Sequence, residues 1–582
     1  MPDREHPARG PAFRTSAAVM SQVSPPAPTK RTPCVVVPAW PWLILGALVA
    51  GCVSLQLDAS GDHPTAWAGP GITTDEPLNV AQGVLLADRL FNADLAGFRR
   101  VDASLPDYPP LGRVVLGVGH ELALMVSPPS GSTAPYSIAC ARVASAFLFG
   151  LTVFLVGRSS HRWWGPWAGL VSAISLVLMP RSFGHAHLAS LETAINLAYL
   201  ACLLAAQRTW ESPGLRASTE RSGTFPWWNS GLIRPALGTG CALGLAWLIK
   251  IQAIFLLPVL GTWAVLWLRR SAPAWLLIVG IVAGALFFAG WPWLWDDPLG
   301  NVRLYLGKTT SRATIQAWYE GRAWADRELP WHYPWVLLAT TVPLGLQGLG
   351  LCGVLSGIRN WRQAAAETLC IGGMAVPLLA FSLPGIAVYD GERLFSVVYP
   401  LWALLIGRGA VPAVEWLQRR LGSLRLALTV GSCLLLTQAW GAWSTSPAWL
   451  SYYNAAVGGL SGAVACGLPP SYWGDGLTRE LWEDVARHVP PGSTIALAPT
   501  LYESQAGEFQ RQTPVCQQHQ WTLVSRGGPG AERAAYVILI NRPEYLPVED
   551  RQLKPSDFVA SITRDGVWLA GLKRLTDPPR QP

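Results

Sequence analysis

The sequence has 582 residues, of which only 14% are charged, and it carries a formal net charge of +8. An average soluble protein has about 25% charged residues. Here the charge is missing in blocks, several of which reach the roughly 20 apolar residues that cross a bilayer, which excludes an ordinary soluble enzyme, a disordered protein and a collagen-like chain. The basic excess does not indicate a nucleic-acid partner, because most Lys and Arg lie in short loops between apolar runs and no nucleic-acid motif is present.

The N-terminal segment, residues 1–33, is rich in Pro and Arg and has no periodic apolar pattern, which predicts a disordered cytoplasmic tail. The first apolar run covers about 35–57 and belongs to the predicted membrane domain, 34–443. It contains Val49-Ala50-Gly51-Cys52, which matches the cleavage box of a bacterial lipoprotein. Because small residues are also common in spanning helices, we expect an uncleaved anchor helix, with lipoprotein processing as the alternative.

Further apolar runs follow a long, acidic loop, 58–110, and the Lys and Arg between them set their orientation. The basic N-terminus is expected inside, and 58–110 is then the first extracytoplasmic loop. The runs lie at roughly 111–127, 136–157, 165–180, 188–207, 232–249, 250–268, 273–295, 333–356, 368–384, 394–411 and 424–443.

The number of spans depends on one ambiguous stretch. If 58–110 is outside and the arginines at 158–162 are inside, one full span fits between them, but two runs are present. The weaker run, 111–127, carries Arg113 and two other ionisable residues, and we expect it to be re-entrant or to lie at the outer interface. The alternative places 158–162 outside. These interpretations predict about 11–13 spans, and the preferred one places residues 444–582 outside.

Residues 444–582 change character and predict a small extracytoplasmic α/β domain without a recognisable catalytic motif. Thr478–Val489 has the pattern of an amphipathic helix. The chain has 10 Cys and no CxxC pair; Cys466 and Cys516 could form a disulfide in an oxidising space, and the sequence leaves that open. Apolar, β-rich stretches separated by turns lie at 493–498, 521–525, 535–540 and 567–570.

The first candidate for chemistry is the acidic pair Asp75-Glu76 in the first outside loop. A carboxylate near the membrane surface can accept a proton from a substrate hydroxyl, as a general base does. Adjacent residues on a helix point about 100° apart, so usually only one of the two faces a substrate. The alternative is a helix start, in which Thr74 is the cap and both acids favour the helix dipole.

Three further candidates lie beside apolar runs. Asp107 and Tyr108 precede two prolines, which stiffen the chain before the next helix, although Pro there is also a simple helix-start signal. Lys250 falls between two apolar runs on the outer side. A cation at membrane depth is a functional candidate, and a Lys that reaches to the interface from a helix end is the alternative.

Two histidines, His185 and His187, precede Glu192. Two His with a nearby acid could bind a metal, but a spacing of two residues faces one side only in an extended segment. We therefore expect these side chains to hydrogen-bond a substrate or a neighbouring loop.

The segment from Tyr389 to Arg393, with Asp390, Gly391 and Glu392 between them, forms a tight outside loop. An Arg fixed beside a Gly turn at the outer interface suits a lipid phosphate, because its planar guanidinium binds two oxygens. The alternative is a salt bridge from Arg393 to Asp390 or Glu392.

Taken in order along the chain, these features resemble one family. The acidic pair, Pro109-Pro110-Leu111, Arg142 at the opening of the next span and Lys250 after a small-residue helix look like the GT-C glycosyltransferases of family 39. That family includes the protein O-mannosyltransferases and the bacterial aminoarabinose transferases that modify lipid A. The resemblance covers about residues 35–475. Three further segments look most like a bacterial branch of uncharacterised members: 389–393, 451–454 and 472–475.

The resemblance implies a multi-pass enzyme of the bacterial inner membrane with a cytoplasmic N-terminus. Such an enzyme transfers a sugar, with inversion, from a polyprenyl-phosphate donor to a hydroxyl of a protein or glycolipid acceptor at the outer face. Asp75 would be the general base, Glu76 is the second acid of the pair, and Glu192 stands where relatives often have Asp. Asp107 and Tyr108 replace the Glu-Lys or Leu-His type of pair found in relatives.

Because Tyr108 brings no cation, the expected contact with the donor phosphate shifts to Arg393 and Lys250. The resemblance implies no specific cofactor, and a divalent metal is compatible with it but is not predicted. Membrane lipids are expected partners and nucleic acid is not. The other candidates for donor or substrate binding are Arg113, Arg142, His185, His187, Glu192, Tyr389 and Asp390.

Two other functions stay open. A transporter or lipid flippase would use charges inside the membrane, whereas here the polar residues cluster in outer loops and no inverted repeat is evident. A binding or scaffold protein would make Asp75, Glu76 and Arg393 dispensable. The sequence therefore predicts an α-helical polytopic membrane protein of GT-C type, with a large first extracytoplasmic loop and a small C-terminal α/β domain.

Overall fold

The computed structural model of the protein describes residues 38–63, 66–106, 108–129, 134–212, 230–311 and 313–575. The predicted cytoplasmic tail, 1–33, and the candidate Asp107 lie outside the described residues. Within them the chain is mostly helical, and its strands form one hairpin and one sheet near the C-terminus.

Helices occupy every predicted apolar run, because a backbone among apolar side chains or lipid must satisfy its own hydrogen bonds. Up to residue 444 the α-helices are Trp40–Ser54, Glu76–Phe91, Leu95–Ser104, Leu111–Val126, Ile138–Trp164, Pro166–Leu178, Pro180–His185, Leu191–Glu211, Ser230–Trp247, Leu256–Trp267, Ala272–Gly290, Pro298–Ser311, Tyr333–Thr341, Leu344–Arg359, Ala365–Ala380, Val398–Leu421, Leu424–Thr437 and Ala439–Ser444.

Some of these helices have the length and composition of membrane spans. Ile138–Trp164, Arg269–Gly290 and Leu424–Ser444 are long and apolar enough to cross a bilayer. The pair Tyr333–Thr341 and Leu344–Arg359, bent by 119°, would count as a fourth span. The described residues thus confirm a polytopic helical membrane protein. The helices at the other predicted spans do not meet both the length and the composition criterion for a span. The number of spans and their sidedness therefore stay predictions.

Leu111–Val126 is the helix of the ambiguous run. Its 16 residues rise about 24 Å, which is less than the roughly 30 Å of a hydrocarbon core. It packs against Glu76–Phe91 and Ile138–Trp164, and Arg113 on it is buried. The re-entrant or interfacial placement of this helix stays a prediction.

The four predicted C-terminal strands are present, and a fifth, β6, completes the sheet. The strands are β1 Gln316–Tyr319, β2 Arg322–Ala325, β3 Thr494–Ala498, β4 Thr522–Ser525, β5 Tyr536–Ile540, β6 Ala560–Arg564 and β7 Val567–Arg574. β1 and β2 form an antiparallel hairpin that the sequence did not indicate. The other five have the order β4-β3-β5-β7-β6. β3 runs parallel to β4 and β5, with Ile495 opposite Leu523 and Tyr536, and β7 runs antiparallel to β5 and β6.

The predicted amphipathic helix is Arg479–His488, whose Leu481 and Trp482 are buried. Cys466 is exposed and Cys516 is buried, and both are free thiols. The other α-helices of the C-terminal region are Gly459–Ala465, Gln505–Arg511, Pro514–Gln518 and Val548–Arg551. Short 3-10 helices lie at Ile251–Phe255, Arg269–Ser271, Pro292–Trp295, Arg393–Phe395, Trp449–Ser451, Ala455–Val457, Ala531–Arg533 and Pro555–Asp557.

One hydrophobic core joins the C-terminal sheet to the first loop. Leu481 and Ile495 belong to the same buried cluster as Ile72. The chain segments approach so closely here that a Cβ on Gly71 would lie 2.6 Å from the backbone of Leu477. The conformation of the first loop, which carries the acidic pair, therefore depends on the C-terminal region packed against it.

Gly353 lies where the helices Leu344–Arg359 and Val398–Leu421 touch, and a Cβ there would overlap the carbonyl oxygen of Leu405. We expect Gly353→Leu to push the helices apart and to lower the free energy of unfolding by about 1–3 kcal/mol, the usual cost of overpacking. Gly348→Leu on the same helix is the control, because a Cβ there meets nothing within 4 Å. Thermal unfolding in detergent, followed by Trp fluorescence, compares the two variants; equal melting temperatures would contradict this packing.

Candidate active site

Arg393 follows a turn whose backbone restricts the residues it accepts. Asp390 and Gly391 have φ values of +52° and +61°, and a Cβ on Gly391 would meet the ring of Tyr472 at 2.7 Å. The turn therefore needs glycine at position 391. After it, Glu392 and Arg393 point to different groups of side chains.

The guanidinium of Arg393 is shared by three carboxylates. Its Nη2 lies 2.7 Å from Oδ2 of Asp75, its Nη1 donates to Oδ2 of Asp390 at 2.7 Å, and its Nε donates to Oε1 of Glu192 at 3.1 Å. The guanidinium carbon also lies 4.5 Å from the ring centre of Trp473. The side chain of Asp75 is 36% exposed, against 6% for Arg393 and 2% for Glu192. Asp75 is therefore the member of this cluster that faces solvent.

Lys250 joins the same cluster through Glu192, whose Oε1 it approaches to 2.5 Å. The two residues stand 58 positions apart in the chain, and the sequence shows no obvious acidic partner for Lys250. The structure supplies one: Glu192, in the first turn of the helix Leu191–Glu211. Both side chains are buried, so this is an internal ion pair, whereas the alternative expected a Lys that reaches to the interface.

The C-terminal region adds a further cation, Arg542, whose Nη2 donates to Oδ1 of Asp390 at 3.2 Å. Burial opposes the charge of Arg393, but the neighbouring carboxylates outweigh it and hold the pKa of Arg393 well above its usual value. Burial raises the pKa of Asp390, against the pull of the two guanidinium groups that it contacts. The charges of the cluster thus alternate: Asp75, Glu192 and Asp390 against Arg393, Lys250 and Arg542.

Glu76 lies apart from this cluster, in a closed pair with Arg142. Its two oxygens accept from Nε and Nη2 of Arg142, each at 2.7 Å, and from the backbone amides of Thr73 and Ala189. Both side chains are fully buried. Arg142 also donates to backbone carbonyls of the first loop, including that of Gly71 at 2.8 Å. This pair shapes the loop that carries Asp75.

Asp75 occupies the cap position of the helix Glu76–Phe91 but makes no side-chain capping bond. Thr74, the expected cap, directs its hydroxyl to the carbonyl of Trp473 at 3.4 Å. The carboxylate of Asp75 is directed to Arg393 instead. The helix-start interpretation of the acidic pair therefore explains its position in the chain but not the direction of the Asp75 side chain.

His185 and His187 contact different partners. Nε2 of His185 lies 3.1 Å from the hydroxyl of Tyr472, which donates to Glu392 at 3.0 Å. Nδ1 of His187 lies 2.8 Å from the carbonyl of Phe183, and burial lowers the pKa of His187 to about 3. The described residues contain no group of three or more His, Cys, Asp or Glu placed to hold a metal ion.

The remaining candidates within the described residues are Tyr108, Arg113 and Tyr389. Arg113 donates to the side chain of Asn79 at 3.2 Å and to the carbonyl of Leu105 at 3.0 Å, and its guanidinium carbon lies 5.2 Å from the ring centre of Tyr108. Tyr389 places its ring 5.7 Å from the guanidinium carbon of Arg393. Arg113 thus ties the end of the first loop to its helices, while Tyr389 lies beside the cation.

Two buried arginines were missed from the sequence. Nη1 of Arg181 lies 2.5 Å from Glu392. The sequence signal for Arg181 was a charge directly after the apolar run 165–180. Arg542 follows strand β5, at the carboxyl end of a parallel strand, where ligands and functional groups tend to lie. Its partner Asp390 belongs to a distant part of the chain, so no local pattern marks the pair.

No protein-family model and no curated protein matches the chain, but solved structures do. ArnT from Cupriavidus metallidurans matches in its apo state, with 14% identity and a TM-score of 0.46, and bound to undecaprenyl phosphate, with 13% identity and a TM-score of 0.48. Each match covers 92% of this chain and 98% of the other.

Two more matches concern other transferases. Oligosaccharyltransferase AglB from Archaeoglobus fulgidus, in complex with an inhibitory peptide and a dolichol-phosphate, has 9% identity and a TM-score of 0.44 over 86% of this chain and 69% of its own. The S. cerevisiae protein O-mannosyltransferase Pmt1-Pmt2 complex bound to the sugar donor has 18% identity and a TM-score of 0.30 over 44% and 33%. All four TM-scores are below 0.5, so the function of this chain is inferred from its own side chains.

The Glu76–Arg142 pair gives a stability prediction. Glu76→Gln leaves a buried guanidinium without its counter-charge, so we expect the free energy of unfolding to fall by about 3–5 kcal/mol. Asp484→Asn is the control: Asp484 pairs with the exposed Arg487 at 2.7 Å, and such surface pairs contribute about 0–1 kcal/mol. Chemical unfolding in detergent measures both variants. A loss for Glu76→Gln no larger than for the control would mean that this pair does not hold the first loop.

Proposed function

We propose that the protein is a membrane glycosyltransferase that moves a sugar from a polyprenyl-phosphate donor to an acceptor hydroxyl at the outer face of the bacterial inner membrane. In this proposal Asp75 is the general base and Arg393 binds the donor phosphate, with Lys250 adding positive charge. The N-terminus is cytoplasmic, and the acceptor is a protein or a glycolipid. The general activity in this proposal, sugar transfer from a lipid-linked donor, is also that of the matched glycosyltransferases.

The observation that carries the proposal is the contact of 2.7 Å between Arg393 and Asp75. Two of the three arms of the guanidinium are held by Glu192 and Asp390, whose side chains are only 2% and 9% exposed. The third arm is held by the carboxylate that faces solvent. A phosphate can therefore reach Arg393 by displacing Asp75, and guanidinium groups bind phosphate oxygens well in this geometry.

Displacement of Asp75 would couple donor binding to the activation of the base. While Oδ2 of Asp75 is bound to Nη2 of Arg393, that oxygen is not available to an acceptor hydroxyl. Once phosphate takes the Nη2 arm of Arg393, Asp75 is released and can accept a proton from the acceptor hydroxyl. In an inverting transfer, the acceptor and the leaving phosphate lie on opposite faces of the reacting carbon, so the sugar ring would separate these two side chains.

The remaining charges suit a leaving phosphate. Negative charge develops on the phosphate as the bond to the sugar breaks, and fixed cations stabilise it. Glu192 holds both Arg393 and Lys250 in place, so both cations are oriented before the donor arrives. The lipid carrier that we propose is a polyprenyl phosphate of the kind bound to the ArnT structure.

Asp75→Asn keeps the shape of the side chain but removes its ability to accept a proton. We expect transfer to fall by about 10²–10⁴-fold, the usual contribution of a positioned base, with expression and membrane insertion unchanged. The measurement follows release of radiolabelled sugar from a polyprenyl-phosphate donor by the purified protein. Asp88→Asn is the control, because Asp88 is exposed on the adjoining helix and contacts Asn92. Near-normal transfer by Asp75→Asn would remove Asp75 from the mechanism.

A further inference from the structure

The carboxyl edge of the C-terminal sheet faces the candidate site. The loop after β3 carries Tyr502, whose hydroxyl donates to the carbonyl of Thr74 at 3.2 Å. The loop after β5 carries Arg542, which donates to Asp390 at 3.2 Å. Strands β3 and β5 are parallel neighbours, so two adjacent strands deliver side chains to the two loops that hold Asp75 and Arg393.

Arg542 also has partners within the C-terminal domain. It is buried, its Nε donates to Oε1 of Glu544 at 3.0 Å, and its guanidinium carbon lies 4.9 Å from the ring centre of Tyr545. The hydroxyl of Tyr545 in turn accepts from the backbone amide of Gln316 at 3.2 Å. The segment Arg542–Tyr545 thus connects the sheet, the hairpin β1–β2 and the loop at Asp390.

Asp390 is the link between Arg542 and Arg393. Its Oδ1 accepts from Arg542 and its Oδ2 from Arg393, and its own backbone has a positive φ of 52°. Asp accepts that conformation more readily than most residues, and the side chain of Asp390 is fixed by the two guanidinium groups that it contacts. Loss of Arg542 would leave Oδ1 of Asp390 without this donor and would loosen the turn that aims Arg393.

We infer that Arg542 is a positioning residue of the transfer site: through Asp390 it fixes the direction of Arg393, so that the C-terminal domain completes the donor-phosphate site. The inference rests on the proposed function for its catalytic consequence, but its structural part does not. It gives a role in the site to a domain in which the sequence shows no catalytic motif.

Arg526 offers a matched control. It follows β4 at the same edge of the sheet, as Arg542 follows β5, and it forms an ion pair with Asp550. Asp550 also has Lys573 at 3.6 Å, so these contacts lie within the C-terminal domain. Arg526→Gln therefore removes a guanidinium from the same domain without touching the pair of Arg542 and Asp390.

The experiment compares Arg542→Gln, Arg542→Lys and Arg526→Gln in the full-length protein, with two readouts. Hydrogen–deuterium exchange measures opening of the segment 388–397, and sugar transfer from a polyprenyl-phosphate donor gives kcat and KM. We expect Arg542→Gln to speed exchange in that segment and to lower kcat/KM by between about 10-fold and 100-fold, as displacement of a positioned group does. Arg542→Lys should recover part of both, and Arg526→Gln should change neither.

The two readouts separate the possible failures. Unchanged exchange in the segment 388–397 for Arg542→Gln would overturn the inference, as would faster exchange with the same kcat/KM as Arg526→Gln. If the wild-type protein transfers no sugar from the donor, the proposed function fails. In that case, the exchange data alone decide whether Arg542 holds the loop. A double variant with Asp390→Asn should open no further than Asp390→Asn alone, because Arg542 acts through Asp390.

Discussion

The rest of the site depends on one set of contacts: the guanidinium of Arg393 is buried among three carboxylates. Taking charges out of water is costly, and ion pairs repay that cost only when the hydrogen-bond geometry is good. Here each arm of Arg393 has a carboxylate within 3.1 Å. The side chains of Glu192 and Asp390 are 2% and 9% exposed, against 36% for Asp75, so the cluster is open to solvent on the side of Asp75.

The surrounding structure keeps that asymmetry. Lys250 holds Glu192 from within the membrane domain, Arg542 holds Asp390 from the C-terminal domain, and the closed pair of Glu76 and Arg142 shapes the loop beside Asp75. In the proposed function, Asp75 is the partner that responds to a ligand. A functional group that must exchange partners is expected at the edge of such a network, because a fully buried carboxylate that left its cation would remain buried as an unpaired charge.

Local patterns predicted most of the fold, because apolar runs and alternating stretches report on helices and strands independently of the rest of the chain. Strand β6 was missed because Ile562 is its one large apolar side chain. At the site, Lys250 and Arg393 were found one at a time, by their charge beside apolar runs. Their shared partner Glu192 lies 58 and 201 positions away, and only the tertiary structure brings the three together; Arg542 was missed for the same reason.

The most direct measurement is the affinity of the purified protein for undecaprenyl phosphate without any acceptor, in wild type, Asp75→Asn and Arg393→Lys. If Asp75 and the phosphate compete for one arm of Arg393, Asp75→Asn should tighten binding by roughly 10-fold, since a hydrogen bond to a charged group exceeds a neutral one by about 1 kcal/mol or more. Arg393→Lys should weaken binding, because Lys lacks the planar pair of donors. Unchanged affinity in both variants, with a lowered melting temperature for Arg393→Lys, would show that Arg393 only holds the loop and would contradict the account.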